Sequence, residues 1–573
     1  MITEKGKKRI AILGGGPSAL FMYKRIVEAN RNDLEIHIFE SKRTLGSGMP
    51  YSPEGANDEH VTNVSDSEIP EIVTSVKKWI QTVSDEELAK FNVRKKDFNE
   101  MKVLPRLLFG QYLAAQFDML VKNGRNAGME TEIHFESKVV DIADDPACGK
   151  VKIEVSGKEQ QEFDCVIVCT GHNWPMEHEG KISGYFDSPY PPSKLKMKLN
   201  HAVALKGASL TAIDAIRTLA RSNGNFHRQD NGKVSYEPSA DSPDFKLVMH
   251  SVHGMLPAVR FHLEEPLLSG DSLLSHEEIE KNMAENGGFL SLDYLFEKDF
   301  KDRFRKKDAK FYNFIKDKNL EEFVESMMAQ RENAKPFALF KAEYLEAEQS
   351  IKKEESIYWK EMLAVLSFAI NYPAKYFSAE DMQRHQKVLM PLISIVIAFV
   401  PQSSCEELLA LYDAGKLDII SVEKDSSAKP EKKGGVTYHY AGEPDPEQSV
   451  YYNTFVNCVG QPHLSFDDFP FKSLVANQTV SPAQIRFKSN EAGSTEWNQG
   501  NEKVVKAADG AFYLNVPGIT INDYFQVVSQ DGKANDRVFM MAVPYIGGYN
   551  PDYSGLDFCE QASANIAECI FKS

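Results

Sequence analysis

The sequence has no C-x-x-C pair, no apolar leader ahead of its first strand, no apolar run long enough to cross a bilayer and no excess of positive charge. Each absence removes a class of function. The seven cysteines are scattered, and Cys165 and Cys169 share a face of one strand, a spacing that fits burial rather than dithiol chemistry. The most apolar stretch, Val388 to Val400, falls short of the ~20 residues of a membrane span and contains Pro391, so it reads as a buried helix. A formal net charge of −17 argues against nucleic-acid and anionic-membrane partners, which need a basic surface, although a local basic groove stays compatible with it. Lys5, Lys7, Lys8 and Arg9 read as a solvated lead-in to the first strand, and the missing leader points to the cytoplasm. His250 and His253 form H-x-x-H without a further ligand at a recognised spacing, so no metal is expected there. At 573 residues the chain is expected to hold two or three domains.

What is present begins at Arg9 to Ala19, RIAILGGGPSA. Ile10 to Leu13 make a compact strand, Gly14, Gly16 and Ala19 supply G-x-G-x-x-A, and a helical run begins at Ser18 and continues through Lys24 and Val27. The first glycine permits a tight turn, the second lets backbone approach a pyrophosphate, and the small third residue lets helix pack on strand. The helix N-terminus then offers unpaired N–H groups to phosphate. A second strand, Glu35 to Phe39, ends in Glu40 and Ser41, about the ~20 residues downstream at which an acid meets a ribose hydroxyl.

A second glycine-rich loop, Leu45 to Tyr51, and then His60 to Val64 follow. Small irregular backbone of this kind either lies against a long ligand or forms a solvated surface loop. Leu104-Pro105-Arg106 leads into an amphipathic helix, with Arg106 set to meet a phosphate or to make a structural ion pair. Strands are expected at Glu132 to Phe135, Val151 to Val155 and Cys165 to Cys169, the last ending in Thr170-Gly171-His172-Asn173-Trp174-Pro175. An apolar strand followed by Thr-Gly suits a buried parallel strand whose carboxyl end meets a cofactor crevice.

The set GGGPSA, FES, GSGMPYS, HVTNV, LPRLLFGQYL and VIVCTGHNWP resembles the large bacterial FAD/NAD(P)-binding proteins related to flavin-dependent N-hydroxylating monooxygenases. The resemblance implies FAD, with NADPH or NADH as reductant. It implies a cofactor-binding set of Gly14, Gly16, Pro17, Ser18, Ala19, Glu40, Ser41, Gly48, Tyr51, Asn63, Arg106, Val140, Thr170 and Gly171 in the first fold. Gly207, Ser209, Leu210 and Thr211 complete the set in a second fold, and Gly555 and Leu556 near the chain's end.

That second fold is expected to begin at Ala202 to Leu205, followed by KGASLTAID. Gly207 holds the first place of the fingerprint and Ala212 the third, while Ser209 departs at the second. Phe245 to His250 makes the next strand. In the loop after it, relatives often carry arginine for the 2′-phosphate of NADP, whereas this chain has Val252 and His253. From Phe261 to about Gly415 the texture turns charged and helical, as an inserted domain would. Strands return at Leu417 to Val422, Val436 to Tyr440 and Thr454 to Val459, the last followed by Gly460-Gln461-Pro462. Asp425 to Gly435 and Ser489 to Gly500 read as polar, turn-rich, mobile segments. Val538 to Val543 is expected as strand, then PYIGGYNPDYSGLD with Tyr549 among the flavin's neighbours, then a closing helix. The resemblance aims that helix's N-terminus at the flavin, where its partial positive charge would stabilise negative charge, with Asp557 in its first turn.

The fold class expected is α/β: two Rossmann-like, doubly wound dinucleotide-binding domains with an inserted helical domain. The expected boundaries are 1–195 and 461–573 for the FAD domain, 196–260 and 416–460 for the NAD(P)-like domain, and 261–415 for the insertion. The function expected is an FAD-dependent, NAD(P)H-using monooxygenase acting on a small molecule with O2, with N-hydroxylation of an amine as the finer form. An NAD(P)H-dependent oxidoreductase or oxidase and a non-enzymatic flavin-binding interaction protein are the alternatives. No catalytic acid, base or nucleophile is assigned, and the oligomeric state is left open.

Overall fold

Lys8–Leu13 forms the central strand of a six-stranded sheet and buries its last four residues, as a parallel strand covered on both faces must. In the computed structural model, residues 7–99, 103–172, 174–264, 273–441, 448–461, 463–551 and 555–572 are described. Lys5, Asn173, Pro462 and 552–554 lie outside them. The sheet runs Gln526–Val528, Ala534–Met540, Cys165–Val168, Lys8–Leu13, Leu34–Phe39, Glu130–His134, parallel except for the first pair. The chain's last long strand thus returns beside Cys165–Val168. Strand order reverses at Lys8–Leu13, which places a crevice at its carboxyl end.

A second parallel sheet repeats the plan in the order Tyr185–Phe186, Thr454–Asn457, Ala202–Lys206, Lys246–Val252, Leu417–Val422. The correspondence extends to single bonds. Gly14 N donates to Phe39 O and Gly207 N to His250 O, both at 2.8 Å, while Cys169 N donates to Leu13 O and Cys458 N to Lys206 O. Each fingerprint turn is therefore locked to both neighbouring strands. A three-stranded antiparallel meander accompanies each fold, Val139–Asp145 with Lys150–Val155 and Gln161–Phe163, and Ser427–Pro430 with Val436–Tyr440 and Gln448–Tyr452.

Between the halves of the second sheet lies the helical region, from His276–Glu285 to Gln402–Asp413. Its core of Phe296, Phe300, Phe304, Phe323, Leu363 and Leu392 also takes in Ala483, Ile485, Phe487, Phe512 and Leu514 from a small sheet of the last hundred residues. The C-terminal segment therefore serves two cores rather than returning wholly to the first fold. Two stretches expected to be mobile hold regular structure instead. Asn490–Asn498 is a helix whose N-cap Ser489 accepts from Ala492 N, and Ser427–Pro430 is a paired strand. Polar composition mimicked loops because the helix buries only Gly493 and the strand buries none of its residues. Of the stretch Val388 to Val400, expected as a buried helix, the part to Val396 is helical, through a π-turn at His385–Leu389 and the helix Met390–Val396, while Val400 forms a bridge with Val259. Among the described residues no helix is long and apolar enough to cross a membrane.

A second π-turn, Phe296–Lys301, carries Asp299, 4 % exposed. Burial, with Glu278 adding to it, pushes this carboxyl from 3.8 up to about 7 against the pull of Arg303. A folded-state value above the unfolded one means that stability is lost as pH rises from about 4 to about 7. The ceiling is about 1.4 kcal/mol per pH unit, and relaxation around the group roughly halves it. Asp299→Asn is accordingly expected to gain on the order of 2 kcal/mol over the parent at pH 8, with the advantage shrinking toward pH 4.5. Urea denaturation at both pH values checks it.

Candidate functional site

The crevice is built first from the turn at Gly14. This residue has φ +98°, and a Cβ on it would stand 2.7 Å from Cys169 O and 3.2 Å from Thr170 Cα. Only glycine brings the backbone so close to the end of Cys165–Val168. The helix Pro17–Glu28 then starts with Pro17 in its first turn, Gly16 at the N-cap and no side chain bonded there, so its first-turn N–H groups face outward. Across from Gly16 lies Gly48, with its Cα 3.3 Å from where a Cβ on Gly16 would sit. The loop around it is inside the protein: Leu45 and Ser47 are buried and Tyr51 stands edge-on to Phe109. The first half of the loop, Leu45 to Ser47, is therefore packed rather than solvated, while Gly48 to Tyr51 are half-buried. Burial pushes the Tyr51 hydroxyl up to about 12.

Glu40 closes the other side, 9 % exposed. One carboxylate oxygen accepts from Gly15 N at 2.7 Å and the other from Lys42 N at 2.8 Å and Ser41 Oγ at 3.0 Å. The oxygen that accepts only from Gly15 N retains lone-pair capacity for a ribose hydroxyl. Next to Gly14, Thr170 Oγ1 is buried with no hydrogen-bond partner, and so is Trp174 Nε1, while Gly171 opens onto free space. Buried polar atoms are normally paired, so these two orphans on the crevice loop fit a polar ligand. Val140 lies further out, exposed on the meander strand Val139–Asp145.

The closing helix Leu556–Lys572 packs beside Pro17–Glu28, with Gly555 and Leu556 at its start and Ser18 Oγ 3.4 Å from Cys559 Sγ. Two helix N-termini therefore converge on one region. Glu560 fixes them by pairing with Lys24 and Arg25. Asp557 sits in the same turn, and burial together with Glu68 and Glu560 raises its carboxyl to about 7. Near neutral pH a large share of it is uncharged, which relieves the conflict between an anion there and a developing anion on a ligand. Tyr549 donates to Gln484 O at 3.0 Å.

In the second fold Gly207 has φ +107°, and Ser209 is the exposed N-cap of Leu210–Asn223, again with no side chain bonded there. Leu210 and Thr211 open that helix, so a second uncapped N-terminus exists despite the serine. In the loop after Lys246–Val252, Val252 is exposed and His253 pairs with Glu332 at 3.4 Å. His250, by contrast, is buried and stacked on Tyr438 at 4.0 Å, so the two do not converge as H-x-x-H ligands.

Arg106 reaches across to the second fold. Its Nη1 donates to Asp214 Oδ2 at 2.5 Å and its Nε to Val61 O at 2.9 Å. This is the ion pair offered as one of its two readings. Tyr190 donates to the same Asp214 oxygen at 2.7 Å, and His60 Nε2 lies 3.1 Å from both Asp214 O and Thr218 Oγ1. Burial pushes the Asp214 carboxyl up, but Arg106, His60 and Tyr190 outweigh it and hold it below 3.8. Trp174 packs on Tyr190, so the crevice loop joins the same network. Asn63 gives its carbonyl to Arg260, which also reaches Ser65 at 3.2 Å and pairs with Glu68. Asp214, Tyr190 and His60 carry no joint sequence pattern, because Asp214 stands 24 positions from Tyr190 and 154 from His60.

The sequence and the fold have known counterparts. A family profile described as FAD-NAD(P)-binding matches residues 11–173, and one described as YdhS-like middle domain matches 275–397. The YdhS protein of Escherichia coli (strain K12) is 25% identical over 569 residues, 99% of this chain and 98% of that protein. Among solved structures, an ornithine N-hydroxylase of Kutzneria sp. 744, complexed with reduced FAD, NADP+ and L-ornithine, is similar at a TM-score of 0.50 and 12% identity, covering 99% of each chain. A cadaverine monooxygenase from Erwinia amylovora, bound to FAD, gives 0.47 and 10%, covering 100% of this chain and 95% of that one. Residues 11–173 thus match an FAD-NAD(P)-binding profile and 275–397 a YdhS-like middle-domain profile, in a chain that shares its overall fold with the Kutzneria enzyme.

Proposed function

We propose that the chain is an FAD-dependent, NAD(P)H-using monooxygenase acting on a small molecule, with an amine nitrogen as the oxygenated atom. The observation that carries this reading is the pairing of two uncapped fingerprint turns, at Gly14 and Gly207, held in one arrangement by the buried Arg106–Asp214 pair. Flavin supplies the capacity to accept a hydride from nicotinamide and to hand electrons to oxygen. The protein's share is placement. Gly14, Gly16, Pro17, Ser18 and Ala19 would hold the pyrophosphate, Glu40 and Ser41 the ribose, and Thr170 and Gly171 the crevice wall. Gly207, Ser209, Leu210 and Thr211 would receive the nicotinamide dinucleotide. The neighbouring Kutzneria and Erwinia enzymes, whose names specify amine substrates, lend the N-hydroxylation reading its direction.

The test is oxygen accounting. Protein reconstituted with FAD is supplied with NADPH or NADH and a panel of small primary amines, and oxygen uptake, hydrogen peroxide and N-hydroxylated product are measured together. The proposal expects one amine to raise NAD(P)H oxidation and to replace peroxide with product. Stoichiometric peroxide with every amine would assign the chain to the oxidases, a reading that the absence of arginine at Val252 and His253 does not disfavour.

A further inference from the structure

We propose that His37, His134 and Glu132 form a binding site for a divalent transition-metal ion of the zinc class, bridging two strands at the edge of the first sheet. Leu34–Phe39 and Glu130–His134 run parallel in the register His37↔Glu132 and Phe39↔His134. Side chains two apart on a strand share a face, so this register sets the two imidazoles and one carboxylate together. His37 Nδ1 and His134 Nε2 lie 3.0 Å apart and Glu132 Oε2 is 3.5 Å from His37 Nδ1, with one ligand atom from each residue within 4.8 Å of the others. Two nitrogens bound at about 2.0–2.1 Å to a tetrahedral ion stand roughly 3.3 Å apart. The pair needs to open by only a few tenths of an ångström.

The surroundings prepare the ligands. Glu35 Oε1 lies 2.6 Å from His37 Nε2, so an Nε2–H would donate to this carboxylate and turn Nδ1 toward the gap as a ligand atom. A carboxylate behind a histidine is the arrangement that orients metal-bound imidazoles and raises their basicity. Arg9 shares Glu35 at 3.2 Å. At 3.0 Å His37 Nδ1 and His134 Nε2 share one hydrogen bond, and an arriving metal ion would take the place of that shared proton. His37 is buried and His134 stacks on Phe39 at 4.3 Å, 9° from parallel, so both rings are held without a metal. Glu132 is largely exposed, which leaves a fourth position to water. Two imidazoles and a carboxylate favour zinc-like ions over magnesium or calcium.

Chelator-treated, FAD-reconstituted protein titrated with Co(II) and, in competition with a chromophoric chelator, with Zn(II) tests the site. The expected result is one equivalent per chain with a visible Co(II) spectrum of nitrogen ligation, and a thermal midpoint raised by Zn(II). His134→Gln and His37→Gln should each weaken binding by ~100-fold or more and Glu132→Gln by ~10-fold, with FAD content unchanged. Absence of a stoichiometric site in the parent, or equal binding by the double variant His37→Gln/His134→Gln, would overturn the proposal.

Discussion

Gly14→Ala is expected to yield a chain that folds but does not retain FAD. The new Cβ would stand 2.7 Å from Cys169 O at a φ of +98°, where L side chains are strained. Relief requires the turn to move off the end of Cys165–Val168, which withdraws the N-terminus of Pro17–Glu28 from the pyrophosphate position. Strain of this kind is worth about 1–3 kcal/mol, and with the lost phosphate contacts it corresponds to ~100-fold weaker FAD binding or more. The counterpart Gly207→Ala meets Cys458 O at 3.1 Å, a milder collision. It should keep FAD and slow its reduction by NAD(P)H. Flavin content after gel filtration and the reduction rate with each nicotinamide separate the two variants; equal effects on both quantities would mean that the folds do not divide the cofactors as proposed.

Arg106→Leu is expected to lose roughly 3–5 kcal/mol of stability, because it strands the Asp214 carboxylate without its cation at 5 % exposure. Arg106→Leu/Asp214→Leu should recover part of that loss, since an apolar pair leaves no uncompensated charge, although Tyr190 and Val61 O then lose a partner. Urea denaturation of the four members of the cycle measures the coupling. The same cycle bears on function. Arg106 opens the helix Arg106–Asn126 of the first fold and Asp214 belongs to the first helix of the second, so breaking the pair loosens one nucleotide fold from the other. NAD(P)H reduction of bound FAD should fall in both charge-lacking variants even where stability is restored.

The parts legible in the sequence are those written in local pattern. The strand, turn and helix at Lys8 to Glu28 follow from an apolar run, a positive-φ glycine and a proline at the helix start, all within twenty-odd positions. Gly207 and Ala212 declared the second turn in the same way, and the missing second glycine proved compatible with an uncapped helix start at Ser209. The helical insertion was legible from periodicity. What was not legible depends on contacts across the chain. Arg106 reads equally as a phosphate ligand or an ion-pair partner until the fold sets it against a residue 108 positions away. His37 and His134, 97 positions apart, carry no joint pattern before strand register brings them together. The small sheet within Pro482–Ile519 resembles connecting sequence because its apolar face is completed by helices such as Tyr358–Asn371. Asn490–Asn498 was hidden for the same reason, having Gly493 as its one fully buried residue.

The central claim is that one chain holds FAD in the fold opened by Gly14 and delivers reducing equivalents to it from the fold opened by Gly207. The direct measurement is the flavin absorbance of purified, FAD-reconstituted protein during anaerobic addition of NADPH and, separately, NADH. The account predicts bleaching complete at about one equivalent of at least one nicotinamide, since both carry two electrons. A protein that takes up no FAD, or bound FAD that neither nicotinamide bleaches, would contradict it.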